Sequence, residues 1–189
     1  MEIRACDSNC TGTVEKIIEE SMGWYHSYYA SSCLEYGVCR ALVARDNGRD
    51  IGITVYYTVP TQPIRLVVIY YVAVAPEYRG LGIGKALVLS VEHLNSGSGF
   101  IATTQSNNTV SRRLFKNLGY QEYFFDELDW DTALFIEKLT CAYEDDIVFY
   151  KDTVSLDEIA SVESNRELAE ELWDKICYEP WLRLRRRIL

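Results

Sequence analysis

Between Val72 and Leu87 an apolar, β-prone run breaks at Pro76 and becomes Arg79-Gly80-Leu81-Gly82-Ile83-Gly84-Lys85 at the opening of an amphipathic segment. Residues of these types at this spacing can hold a phosphate. Glycine lets backbone approach a ligand with no Cβ in the way, and the unpaired amides of a helix's first turn face a bound anion with the helix dipole behind them. Arg79 and Lys85 add positive charge on either side. Two common phosphate loops are excluded by spacing. A dinucleotide fingerprint needs G-x-G-x-x-G and an acidic residue closing the next strand; here the glycines run Gly80, Gly82, Gly84, and the next candidate strand, Gly99 to Thr104, leads into Gln105. A triphosphate loop needs four residues between its first glycine and Gly-Lys, then Ser or Thr. This chain has three, then Ala86.

The remaining pattern, Arg79-x-x-Gly82-x-Gly84, resembles the acyl-CoA pyrophosphate loop of the GNAT acyltransferase superfamily. Downstream, Asn108-Thr-Val-Ser111-Arg-Arg-Leu114-Phe115-Lys-Asn-Leu118-Gly119-Tyr120 resembles that family's second signature, in the right order. The resemblance covers about Met1 to Leu139 and implies an acetyltransferase that uses acetyl-CoA to acylate a primary amine by direct transfer in a ternary complex. It also implies which residues would hold the cosubstrate. The cradle would be Arg79, Gly80, Leu81, Gly82, Ile83, Gly84 and Lys85. Val72, Ala73 and Val74, with Tyr71, would lie along the thioester; Asn108 would bond the pantetheine arm, and Ser111 and Phe115 would line it.

Proton handling departs from the family pattern. Many relatives have a tyrosine where Phe115 stands, and many carry a glutamate base near the positions of Val68 or Thr103; none of the three residues here ionises. Acyl transfer needs a proton for the leaving thiolate and a deprotonated nucleophile. Tyr71 is the candidate acid, drawn from the pairs Tyr56-Tyr57 and Tyr70-Tyr71 together with Tyr120, and Glu35 is the candidate base. Trp24, Tyr25, Tyr28 and Tyr29 fall where relatives frame the acceptor; their spacing equally suits a core-facing helix. The missing Tyr and Glu leave open a non-catalytic acyl-CoA sensor or interaction module on the same fold.

The elements that must position these residues follow from pattern. Glu2 to Cys6 reads as a strand; Thr11 to Thr13 can cap a helix through Val14, Ile17 and Ile18; Trp24 to Cys33 reads as a second helix. Val38 to Arg45 and Ile51 to Val59 flank Asp46-Asn47-Gly48, a hairpin turn. Ile64 to Val74 is apolar enough for a strand covered on both faces. Then come a helix over Ile83 to Leu94, a strand over Phe100 to Thr103, a helix over Val110 to Leu118, and a strand pair at Tyr120 to Phe125 and Leu134 to Leu139. Pattern alone argues for α/β; the mixed central sheet flanked by helices is what the resemblance implies. Residues 140–189 form an expected extension, mainly helical, packed on the core or at a subunit interface, with a possible strand at Ile147 to Tyr150 and helices near Ser155 to Val162 and Arg166 to Ile176.

Composition bounds the rest. The 189 residues, 48% hydrophobic, suit one substantial core, and the longest apolar run, Leu66 to Ala75, is too short to cross a bilayer. The N-terminus has no basic region leading into an apolar stretch, so the cytoplasm is the expected compartment. A net charge of -9 argues against nucleic acid as the main partner and mildly suits a cationic acceptor, although acidity also serves solubility. Six cysteines at 6, 10, 33, 39, 141 and 177 show no zinc or redox spacing and read mainly as buried thiols; Cys6 with Cys10, or Cys33 with Cys39, could bridge in a hyperthermophile. His26 and His93 form no metal pattern. The tail from Leu182 to Leu189 is basic and amphipathic on an acidic chain, and fits acidic surface within the molecule or across a homodimer better than a membrane or nucleic acid.

Overall fold

The computed structural model describes residues 1–6 and 10–188. Among the described residues seven strands form one mixed sheet in the order β1-β2-β3-β4-β5-β7-β6, where β1 is Glu2–Ala5, β2 Arg40–Asp46, β3 Arg49–Val59, β4 Leu66–Val74, β5 Gly99–Thr104, β6 Gln121–Phe124 and β7 Ile147–Lys151. Helices flank it: α1 Thr11–Met22, α2 Trp24–Glu35, α3 Ile83–Leu94, α4 Thr109–Asn117, α5 Trp130–Thr140, α6 Leu156–Ser161, α7 Glu163–Trp173 and α8 Glu179–Ile188, the last two joined by a π turn over Asp174–Tyr178. The chain divides into two compact units, one of Met1–Tyr57 with Ile69–Ser96, the other of Thr58–Val68 with Gly97–Leu189.

In the first unit, β1 and β2 pair antiparallel, as do β2 and β3 across the expected turn. Asn47 and Gly48 both take positive φ (46° and 80°), as a two-residue hairpin turn with right-handed strand twist requires. The helix α3 buries Ile83, Leu87, Val88 and Val91 on one stripe. It sits very close to β3: a Cβ on Gly52 would come within 3.0 Å of Ile83 Cγ2 and 3.3 Å of Leu87 Cδ1, and 3.2 Å of the Ala73 carbonyl oxygen. Glycine at 52 therefore sets the depth at which α3 docks.

In the second unit, β4 and β5 run parallel, and their pairing spans three positions, Leu66 with Gly99, Val67 with Phe100 and Val68 with Ile101. β7 lies between β5 and β6, antiparallel to both. This corrects the expected strand at Leu134 to Leu139, which is part of α5. Asp129 caps that helix, its Oδ1 accepting from the amides of Asp131 and Thr132 at 3.1 Å, and Thr132, Phe135, Ile136, Leu139 and Thr140 turn inward. That is the helical period, which outweighs the β propensity of a short apolar run. The strand that pairs with β6 comes from residues 147–151, within the expected extension.

The cysteines also correct the expectation of buried thiols: Cys6–Cys10, Cys33–Cys39 and Cys141–Cys177 are disulfides. The third joins the end of α5 to the π turn and has no counterpart in the sequence reading, because its members stand 36 residues apart. Among the described residues no helix is long and apolar enough to cross a membrane.

One buried amide ties α7 to the loop before β4. Asn165, with no exposed surface, accepts from the Gln62 amide at 2.9 Å and donates to the carbonyls of Gln62 at 2.6 Å and Ile159 at 2.8 Å. Asn165→Ala would leave three backbone groups unpaired, so a loss of about 2–4 kcal/mol is expected, read as the shift in urea midpoint at constant m. A change below about 0.5 kcal/mol would mean that water replaces the amide.

Candidate functional site

The glycine loop lies wholly in the first unit. β4 ends at Val74, a 3-10 turn follows over Pro76–Tyr78, and Arg79 is extended (φ -68°, ψ 155°). Gly80 and Gly82 both adopt positive φ, 79° and 80°, with nothing within 4 Å of either absent Cβ. Glycine is needed there for the backbone angle and not for space. Gly82 is the N-cap of α3; no side chain caps the helix, no acidic residue stands in its first turn, and its first closed hydrogen bond runs from the Ala86 amide to the Gly82 carbonyl at 3.0 Å. The amides of Ile83, Gly84 and Lys85 precede that bond, so α-helical geometry gives them no partner within α3. Gly80, Leu81, Gly82 and Lys85 are exposed, while Ile83 is buried and anchors the turn.

Arg79 is exposed, and it also holds its own loop. Its Nε donates to the Val74 carbonyl at 3.1 Å, and the Ser21 hydroxyl donates to the same oxygen at 3.4 Å. The end of β4 is thus tied to its own loop and to α1. Of the expected thioester strand, Ala73 is buried and Tyr71, Val72 and Val74 are partly exposed.

Tyr71 belongs to a chain of rings within this unit. Its centroid is 4.4 Å from Tyr70 and 5.9 Å from His26, whose ring meets it edge-on; Tyr70 in turn meets Tyr57 at 5.7 Å. On α2, Tyr25 lies 5.9 Å from Trp24, 5.8 Å from His26 and 4.9 Å from Tyr29. Burial pushes the Tyr29 phenol far above its usual range, with the Tyr25 hydroxyl adding to the shift, and burial does the same to Tyr57. Both remain protonated and are weak acids. Glu35 is exposed at the last position of α2, nine residues beyond His26 and therefore about 13 Å farther along the helix. The helix brings His26, not Glu35, to Tyr71. The sequence reading gave His26 no role, and only the α2-to-β4 packing reveals it.

The second signature lies wholly in the other unit. Asn108 caps α4, its Oδ1 accepting from the Ser111 amide at 3.1 Å while its Nδ2 donates to Thr104 Oγ1 at 3.1 Å. The cap is legible as an Asn ahead of a helical stretch. Ser111 is half-buried. Phe115 is only 4% exposed, stacked on Phe149 at 4.9 Å and edge-on to Tyr120 at 5.0 Å, which makes it a core residue of this unit. Thr103, which stands where some relatives have glutamate, donates its hydroxyl to Asp145 Oδ2 at 2.6 Å. A carboxylate is therefore present beside that position, supplied by the loop before β7.

Arg112 and Glu122 clamp α4 to β6: Nε donates to Oε1 at 2.8 Å, Nη2 to Oε2 at 3.1 Å, and Lys116 Nζ approaches Oε2 at 2.5 Å. Arg112 also donates to the Ser106 carbonyl at 3.1 Å, which holds the loop leading to Asn108.

A model of the acetyltransferase (GNAT) family matches residues 12–120, which contain both signatures. The chain belongs to the GNAT acetyltransferase family. Its fold is shared with solved GNAT structures. A GNAT N-acetyltransferase from Escherichia coli, solved with CoA, is 20% identical, with a TM-score of 0.55 over 64% of this chain and 68% of that one. A GNAT acetyltransferase from Desulfovibrio desulfuricans is 17% identical, with a TM-score of 0.61 over 81% of this chain and 99% of that one. The ribosomal-protein-alanine N-acetyltransferase of Brucella melitensis is 21% identical, with a TM-score of 0.53 over 62% and 91%. No curated protein sequence matches the chain.

The Glu122 carboxyl is lowered from 4.5 to about 2, first by its bond to Arg112 and then by Lys116, against the opposing effect of desolvation. A depressed carboxylate stabilises the fold above its unfolded pKa, and that contribution is lost as pH falls from 4.5 towards about 2. Glu122→Gln should cost about 1–2 kcal/mol at neutral pH and flatten the stability profile of this GNAT protein below pH 4.5. Parallel urea titrations of the two proteins across that window check it; identical slopes would remove Glu122 from the account of acid sensitivity.

Proposed function

We propose that the protein is an N-acetyltransferase that transfers the acetyl group of acetyl-CoA to a primary amine, on a protein N-terminus, a lysine or a small molecule, by direct attack in a ternary complex. The observation that carries this reading is the start of α3: two positive-φ glycines deliver a helix N-terminus with no capping side chain, and Lys85 stands exposed in its first turn. That arrangement suits a pyrophosphate. Arg79 would hold the loop through the Val74 carbonyl as well as lend charge. Val72 to Val74 would offer backbone to the thioester and pantetheine, and Asn108 and Ser111, with Phe115 behind them, are the second group of contacts that family membership suggests. Solved relatives support the cosubstrate: the E. coli structure is a complex with CoA, and a Brucella melitensis GNAT acetyltransferase is a complex with acetyl-CoA.

Tyr71 is the proposed proton donor to the departing thiolate. The amine must lose a proton before or during attack. Glu35 would take it only through intervening water, given its place on α2, whereas His26 is the titratable group against Tyr71. We place the reaction in the cytoplasm, where acetyl-CoA is available; the three disulfides restrict this to a cell whose cytoplasm tolerates them, as in hyperthermophiles.

Thermal stability with acetyl-CoA, desulfo-CoA, ATP and NAD tests the cradle. A CoA compound at 100 times its dissociation constant should add about 2.7 kcal/mol, and Gly82→Glu, by putting a carboxylate where the phosphates sit, should abolish the shift. A shift with NAD or ATP alone would overturn the reading. Once an acceptor is found, Tyr71→Phe should lower kcat about 100-fold with acetyl-CoA affinity kept. Unchanged kcat would move the acid elsewhere, and tight CoA binding without turnover on a broad amine panel would favour the sensor.

A further inference from the structure

His26 holds its imidazole between two rings. The centroid is 5.8 Å from Tyr25, the preceding residue of α2, and 5.9 Å from Tyr71 on β4, at interplanar angles of 86° and 72°. The side chain is partly exposed, and among the described residues no hydrogen bond or ion pair involves it. Ring contacts therefore fix its place while both nitrogens stay open to water, or to a ligand that displaces water. The titratable groups that face it come from three elements. On α2, the Tyr25 hydroxyl donates to the Tyr29 hydroxyl at 3.4 Å, and burial holds Tyr29 far above the phenol range. From β4 it meets Tyr71, with Tyr70 4.4 Å beyond. α1 packs on α2, where the Ser27 hydroxyl donates to the Glu15 carbonyl at 3.1 Å, and it carries Glu15, Lys16, Glu19 and Glu20, all exposed and none bonded to His26.

We propose that His26 is the base of the acetyl transfer and forms with Tyr71 a pair that passes one proton per turnover; this rests on the acetyltransferase reading above. The amine nitrogen attacks the thioester carbonyl carbon, and His26 takes a proton from that nitrogen as the C–N bond forms. The C–S bond then breaks, sulfur leaves with its electron pair, and Tyr71 protonates it. An imidazolium and a phenolate remain side by side, one with a proton too many and the other with a proton too few. Transfer from the first to the second, directly or through one water, restores both. By ordinary values a phenolate is the stronger base by about 3.5 pH units, so the return runs downhill. The products are the amide and the thiol of CoA, with no proton gained from or lost to bulk water. Glu35, about 13 Å farther along α2, has no such neighbour relation to the acid.

The test uses the full chain, with acetyl-CoA binding measured beside turnover. His26→Gln should keep the thermal shift with acetyl-CoA and lower kcat at least about 100-fold. The wild-type profile of kcat/KM should carry an acid limb, beyond the one that belongs to the acceptor amine, in the range where imidazoles titrate, and His26→Gln should lack it. Added imidazole should return rate to His26→Ala, which loss of packing alone does not allow. A further readout needs no turnover. The chain has two histidines, so the imidazole nitrogen resonances that vanish in His26→Gln identify this one in the free protein. They should respond to pH over the same window as the acid limb. A kcat within about threefold of wild type, a limb that survives the substitution, or an imidazole silent over that window would overturn the proposal. The two levels separate: a wild type that neither binds acetyl-CoA nor acetylates an amine overturns the acetyltransferase reading, whereas an active wild type beside an unaffected His26→Gln overturns the role of His26 alone.

Discussion

The approach of α3 to β3 is the constraint on which the cradle depends. Ile83 and Leu87 sit over Gly52 so closely, with the Ala73 carbonyl beside them, that an added methyl group would make these neighbours give by a few tenths of an ångström. Side chain and backbone contribute differently to that clash: Leu87 could rotate away, but the carbonyl belongs to a strand and cannot. A side chain that extends beyond Cβ at 52 would press on Ile83 and Leu87 in the first turns of α3, and so on the amides of Ile83, Gly84 and Lys85. The phosphate-binding role proposed for the loop would thus depend on a glycine in the middle of a strand as well as on the glycines of the loop itself.

The loop glycines have a separate task. At Gly80 and Gly82 the space around the missing Cβ is empty, so what an alanine would meet is backbone strain and not a neighbour. Two left-handed residues let the chain leave β4, pass through a 3-10 turn, and enter α3 with its N-terminus turned outward and no side chain occupying it. The stability forgone by leaving a helix start uncapped is about 1 kcal/mol, judged by what a capping side chain normally contributes, and α4, α5 and α6 recover that contribution through Asn108, Asp129 and Ser155. Where the ligand site and the cap compete for the same amides, only one can use them.

How much of this was legible in the chain varied with the range of the interaction involved. The hairpin at Asn47-Gly48 and the start of α3 are local, coded within a few residues, and they stand where pattern put them; the Asn108 cap is equally local. The strand order and the pairing of β6 with β7 are not local. Leu134 to Leu139 offered a segment of strand length soon after Phe125 that opens with Leu-Phe-Ile, and only the inward spacing of Phe135, Ile136 and Leu139 behind an Asp129 cap betrays a helix. The true partner of β6 begins more than twenty residues downstream. Cys141–Cys177 and the contact of His26 with Tyr71 are of the same kind: no spacing rule joins such residues, and they meet only because helices pack where the sheet directs them.

The burial of Phe115 bears on the proton question. A hydroxyl added to a ring stacked on Phe149 and edge-on to Tyr120 would enter a region with little exposed surface, where an unpaired hydroxyl costs about 1–3 kcal/mol. Phenylalanine there is therefore a packing choice that stands without reference to catalysis, and its presence does not show that proton transfer has been abandoned. The acid is then sought among rings that keep contact with water. Tyr29 and Tyr57 are held far above the usual phenol range by burial, which leaves them reluctant to give up a proton. Tyr71 is half-exposed, lies one residue ahead of the backbone run proposed to meet the thioester, and has an imidazole against its edge. Under the proposed mechanism packing and proton release fall to different aromatic residues, Phe115, Tyr29 and Tyr57 to the first and Tyr71 to the second.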